Sequence, residues 1–344
     1  MKKFVKLFVV LVTILLIIPI KVFANENSSL FSYTTVDNEV ESYAKDNVAI
    51  YMSSHYDNNV EDYELGKGIT VFSKNNQNKT IFPIWENNRI IATFVVENDS
   101  EGFYAVYSEA YVDQFNYLAT ITSSSSPMYV VASNNSVYGV VDNRWYDLNH
   151  NTGIYAVKEP YSVKDKIMVN SFEKLDFVPY IQTRIPTSYS KSFSIYYTQT
   201  GSYCYSYALG NLLRNMGYTS YTPTDIQKYM NNSLGASKTD LSNYLQSKGL
   251  SCNYANSGYL SFEDVMSIIY YNNNYIYIGA KSNTRNESHA FVIYGYFDNG
   301  ITQLYNFWNP WYNYKQTMSA GNRIIETASS ETFTWNNGYL YNIR

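Results

Sequence analysis

The chain has 344 residues, 29 acidic against 25 Lys and Arg for a formal net charge of −4, and is 45% hydrophobic and 17% aromatic, with 38 tyrosines. This aromatic content supplies core material throughout and excludes a disordered chain. The mild acidity gives no footprint for nucleic acid, nothing demands lipid, and no His and Cys cluster at metal spacing calls for a metal or cofactor.

Lys2, Lys3 and Lys6 precede an apolar run from Leu7 to Ile20, and Val22 and Ala24 supply the small residues of a cleavage site, so residues 1–24 read as a secretory signal peptide. The run is shorter than the about 20 residues a bilayer span needs. The expectation is a secreted protein with no stable membrane association once the signal is removed. Two cysteines, Cys204 and Cys252, cannot build a disulfide framework for an exported chain of this length.

The remainder divides by charge. Residues 25–176 carry 21 acidic against 10 basic side chains, and residues 177–344 carry 8 against 11, so the two halves are expected to attract each other. Before about residue 170 the signals are strand-like: "TVFS", "TIFPIW", "RIIATFVVE", "GFYAVYS", "PMYVVAS", "VYGVV" and "GIYAVK", separated by Asn, Asp, Ser and Gly clusters. A small antiparallel β domain is expected, led by one helix near Glu39 to Met52. The pattern loosens between "KDKIMVN" and "IPTSYSKS", and the linker is placed there.

The second half begins helical. Tyr205, Ala208, Leu209, Leu212, Leu213 and Met216 recur at helical spacing, with Gly217 where a glycine would stop the helix. Further helices are expected after Thr222-Pro223, over "KTDLSNYLQSKG", and after Ser261. The period then changes to that of strands in "YIYIGAK", "HAFVIYGYF" and "ITQLYNFWN", followed by a final hairpin "TFTWNNGYLYNI". Helices first and strands second is an α+β order.

Cys204 falls in the first turn of the first of these helices, at the border of its apolar stripe, where free N–H groups and the helix dipole favour a thiolate. A nucleophilic thiolate needs an imidazole, and the chain offers His55, His150 and His289. His55 and His150 stand in Asn- and Asp-rich loop contexts where a solvated histidine is the default; His289 opens a buried strand. A three-residue loop at Asp298, Asn299 and Gly300 would face Phe297 with Ile301 and place Asn309 opposite His289, on the same face. A two-residue Asn299-Gly300 turn would shift the register by one and turn Asn309 away, leaving Asn306 as the fallback orienter. Gln199 is the side-chain amide just upstream that could complete an oxyanion hole with the Cys204 N–H. Cys252 lacks both a helix start and a nearby histidine and reads as a small packed residue.

Gln199, then Cys204 at a helix start, then His289-Ala290 and an apolar strand, then Asn309 in "WNPW", resembles the order of papain-like cysteine peptidases, and looks most like the staphopains, secreted bacterial members made as proenzymes. The resemblance implies a papain-like catalytic domain over residues 177–344, preceded by an inhibitory propeptide domain over residues 25–176. It implies Cys204 as nucleophile, His289 as general base and acid, Asn309 as orienter, Gln199 as oxyanion donor and Trp311 as a shield over the His-Asn bond, acting on a protein or peptide substrate without a cofactor. The family usually places its glutamine six residues before the cysteine, and here the interval is five. Two other readings stand beside it: a Cys-His hydrolase of cell-wall peptidoglycan, and a non-catalytic secreted binding protein whose tyrosine-rich strands form a contact surface.

Overall fold

The computed structural model describes residues 36–55, 63–72, 78–122, 128–133, 136–148, 156–157, 166–169, 187–325 and 331–344. The signal segment, His150 and the expected boundary at residue 176 lie outside the described residues. Among those described, the architecture is mixed α+β with mostly antiparallel sheets and six α-helices. No helix among them is long and apolar enough to cross a membrane.

The N-terminal half opens with α1 (Asn38–His55), followed by β1 (Glu64–Leu65), β2 (Ile69–Phe72), β3 (Asn78–Glu86), β4 (Arg89–Asp99) and β5 (Gly102–Ser108). Then come α2 (Val112–Ile121), β6 (Met128–Ser133), β7 (Ser136–Val141), β8 (Arg144–Asp147), β9 (Ala156–Val157) and β10 (Lys166–Val169). Strands β6 to β10 form a separate five-stranded sheet. The sequence pattern does not announce α2, which starts from Tyr111 in a left-handed conformation and has no side-chain cap. The span expected to be a linker is bounded by structure: β10 pairs with β6, and β11 (Thr187–Ser190) pairs with β14 (Ser288–Asp298).

In the C-terminal half, α3 (Cys204–Asn215), α4 (Pro223–Tyr229) and α5 (Lys238–Ser247) precede β12 (Asn253–Ala255) and α6 (Phe262–Met266), which a π-helical turn extends to Tyr271. After them come β13 (Ile276–Ser282), β15 (Gln303–Trp308), β16 (Gln316–Ser319), β17 (Arg323–Ile325) and β18 (Thr332–Tyr341) around β14. The helix boundaries follow local chemistry. Thr222 and Ser237 form capping boxes with Asp225 and Asp240. The end of α3 is a Schellman turn, in which Tyr218 N donates to Leu213 O and Gly217, at φ +94°, donates to Arg214 O.

Two turn readings are corrected. The expected terminal hairpin is one strand, β18, because Gly338 at φ +75° makes an irregularity within it, with Gly338 N donating to Gly258 O, instead of a reversal. The loop between β14 and β15 spans residues 299–302, since Asp298 pairs with Gln303, and the Asn299 side chain ties it by accepting from Ile301 N and Thr302 N.

The two halves share one sheet. β5 pairs with β16, so a thirteen-stranded sheet runs from β1 through β3, β4 and β5 into β16, β15, β14, β13 and β18. One apolar cluster joins Val48, Tyr51, Phe82, Phe94 and Tyr107 of the N-terminal half to Phe297 and Leu304 of the C-terminal half. The charge asymmetry meets at Arg323, which bonds Asp99 and, at 2.9 Å, Glu97; Glu97 is 2% exposed and also lies 3.7 Å from Lys79. The acidic surplus of one half thus contacts the basic surplus of the other at a buried seam.

Candidate active site

Helix α3 carries Cys204 at its first position and lays Tyr205, Ala208, Leu209, Leu212 and Leu213 against Ala290, Val292, Tyr294 and Trp308. This apolar face fixes where the thiol points. The backbone N–H groups of Ala290, Tyr205 and Cys204 face the sulfur, and Ala290 directly follows His289 in β14. The Cys204 sulfur therefore lies beside the backbone of the residue that follows His289, at the contact of helix and sheet. A second tie holds the segment ahead of α3 to the loop after β15: Gln199 N donates to Pro310 O at 2.7 Å.

His289 is 5% exposed and its Nε2 lies 2.8 Å from Asn309 Oδ1. Trp311 N–H donates to the same Oδ1 at 3.0 Å. A backbone N–H is always a donor, so the Asn309 atom that faces it must be the oxygen, and His289 Nε2 must then carry a hydrogen. In the neutral ring that leaves the lone pair on Nδ1, the tautomer a general base for a thiol requires. The Trp311 ring stacks on His289 with centroids 4.0 Å apart, and Phe291 meets it edge-on at 4.8 Å, so apolar surface shields the His-Asn bond.

The register that brings Asn309 here differs from the expected one. Phe297 faces Leu304, not Ile301, an odd shift that on its own would turn Asn309 to the other face. An irregularity between Ile293 and Gly295 shifts the pairing once more, so that Val292 faces Trp308 and the parity returns. Asn309 then lies just past the end of β15 on the face of His289. Asn306 is engaged elsewhere: its Oδ1 accepts from Thr317 at 2.7 Å and from Ser54 at 3.3 Å, and its Nδ2 donates to Ser54 O at 3.1 Å.

Gln199 is half-buried, and its Nε2 donates to Gly201 O at 2.6 Å. Its Oε1 is buried without a hydrogen-bond partner among the described residues. Cys204 and Cys252 are both free thiols. His55 is not a solvated loop residue: it ends α1, half-buried, with Nδ1 3.0 Å from Thr317 Oγ1 and its ring against Tyr107. Burial and, secondarily, the charge of Lys315 hold its pKa down at about 4.

Burial also sets the electrostatics of the site. It pushes the Cys204 thiol up, against the facing N–H groups and the Lys238 charge, and holds His289 down at about 4 despite the Asn309 hydrogen bond. Both shifts favour the neutral thiol and the neutral imidazole, and opening to water would favour the ionised forms. Among the described residues no cluster of three His, Cys, Asp or Glu could hold a metal ion. One member of the site was missed by sequence reasoning. Lys238, 7% exposed, lies close enough for its charge to act on Cys204, and its place after a capping serine gives no local sign of this. No protein-family model matches the chain, and no curated protein is found to be similar to it.

Proposed function

We propose that the chain is a secreted bacterial cysteine endopeptidase of papain-like fold, made as an inactive precursor, that cleaves peptide bonds through an acyl-thioester on Cys204. The observation that carries this reading is the fixed tautomer: Asn309 Oδ1, committed as acceptor to Trp311 N–H, holds the hydrogen on His289 Nε2 and leaves Nδ1 as the base. The Cys204 proton passes to Nδ1, and the thiolate attacks the substrate carbonyl carbon. The tetrahedral oxyanion forms near the Cys204 N–H, a first-turn donor without a helical partner. Collapse breaks the C–N bond as Nδ1 returns the proton to the leaving amine, and water activated by the same nitrogen hydrolyses the thioester. Gln199 would serve as the second oxyanion donor once its amide turns from Gly201 O.

Residues 25–176 are the inhibitory propeptide in this account. The shared sheet and the packing of Tyr312 and Tyr314 into the N-terminal core support it, since both lie on the loop that carries Trp311. The test is casein zymography of the full chain before and after cleavage between residues 165 and 190, with Cys204→Ala and His289→Ala as controls. Clearing that rises on cleavage and vanishes in both variants supports the reading. Clearing of a peptidoglycan gel alone would replace it with the cell-wall hydrolase.

A further inference from the structure

Lys238 occupies the first position of α5 and is 7% exposed, yet among the described residues no carboxylate and no hydrogen-bond acceptor pairs with its ammonium. The nearest acid in sequence, Asp240, is held in the helix cap, accepting from Ser237 N at 2.9 Å and from Ser237 Oγ at 2.7 Å. The ammonium lies over the backbone of Gly279, where any Cβ would collide with Nζ, and 5.7 Å from the centroid of the Tyr277 ring. Gly279 pairs directly with Ala290, the residue whose N–H faces the Cys204 sulfur. A cation on a side chain this little exposed gains from a counter-charge, and one strand spacing, about 4.8 Å, separates its seat from Ala290.

We infer that Lys238 is a specificity residue: it receives the carboxylate of an aspartate or glutamate side chain placed within two residues of the scissile bond. This rests on the peptidase reading for the location of the bond. The seat lies on the β13 side of His289, away from Trp311, which fills the β15 side. A substrate carboxylate that reached the ammonium from the Cys204 side would form a charge-assisted hydrogen bond with a cation already in place. Tyr277, Cys204 and the Asn337 carbonyl are the other groups near it, and none offers a full charge of opposite sign while the thiol is protonated. A role confined to the thiol would leave the ammonium without a counter-ion in the resting site.

The test uses N-acetylated hexapeptides with Glu or Gln at each position in turn. Hydrolysis is measured with the full chain after linker cleavage, and binding with the Cys204→Ala chain. A Glu over Gln preference of about tenfold or more is expected at one position. It falls to near unity in Lys238→Met and Lys238→Gln, and reverses toward Lys peptides in Lys238→Glu. A preference that survives Lys238→Met, or no Glu preference at any position in binding or hydrolysis, overturns the inference. So does a ratio unchanged in Lys238→Met while the pH profile of Cys204 alkylation moves, which would confine Lys238 to the thiol. Turnover without Glu preference sinks this inference alone; Glu preference in binding, with no turnover that depends on Cys204, sinks the peptidase reading and leaves the carboxylate seat.

Discussion

Asn309 Oδ1 accepts from both His289 Nε2 at 2.8 Å and Trp311 N at 3.0 Å, so one amide oxygen sets both the tautomer of the imidazole and the loop that shields it. Replacing Asn309 by Ala frees the ring to turn and removes a hydrogen bond that strengthens as His289 becomes charged. A bond to a charged group is worth about 1.5–3 kcal/mol, so kcat is expected to fall roughly ten- to a hundredfold, with KM little changed. Steady-state kinetics on a peptide substrate checks this; an unchanged kcat would deny Asn309 the orienting role.

Arg323 joins the halves of the chain through Glu97 and Asp99. Arg323→Met leaves the Glu97 carboxylate, 2% exposed, with Lys79 at 3.7 Å as its remaining cation. Breaking a buried pair from one side costs roughly 3 kcal/mol, and a fall of that size in urea-unfolding free energy is expected. Because the sheet crosses the seam, fluorescence and circular dichroism should report coincident transitions for both halves. Two separated transitions would show that they fold apart.

His289 and His55, both held near 4 by burial, bind protons more readily in the unfolded chain, whose histidines titrate near 6.5. Their contribution is whole above pH 6.5 and is lost as the pH falls toward 4. Each pH unit between the folded and unfolded titration points is worth on the order of 1.4 kcal/mol, so each ring contributes up to about 3 kcal/mol. The urea midpoint should therefore drop between pH 7 and 4. His55→Gln should flatten part of that slope while keeping a side chain able to donate to Thr317. A midpoint constant over this range in the wild-type chain would contradict the buried neutral state of both rings.

Gly295 marks the irregularity in β14 and lets Ser190 of β11 pass against the backbone; a Cβ there would sit 2.9 Å from Ser190 Cα. Gly295→Ala is expected to cost about 1–3 kcal/mol by overpacking. The shift that returns Asn309 to the face of His289 occurs at the same place, so activity should fall with stability. A variant as stable and as active as wild type would show that the strand accommodates the methyl without moving.

Sequence made the C-terminal helices legible because their ends carry local chemistry: Thr222-Pro223, Ser261 and Gly217 all act within a few residues. Cys204 at a helix start and His289 at a strand start were legible for the same reason. The register between them was not. The loop of residues 299–302 and the shift at Gly295 each displace the pairing, and their combination, invisible in alternation alone, restores the face that a simpler loop had placed correctly for a different reason. The apparent turn at Asn336-Asn337-Gly338 was misleading because a positive φ serves a strand irregularity as well as a reversal. Lys238 was hidden because its burial depends on Gly279, distant in sequence, and α2 because its start at Tyr111 has no capping side chain.

The claim on which the mechanism turns is that His289 takes the proton of Cys204, and the rate at which an epoxide probe alkylates each cysteine of the linker-cleaved chain tests it most directly. Peptide mapping should find Cys204 modified much faster than Cys252 and faster than a free thiol at pH 7, with that advantage gone in His289→Ala. Equal, slow labelling of both cysteines, unchanged by removal of the imidazole, would contradict it.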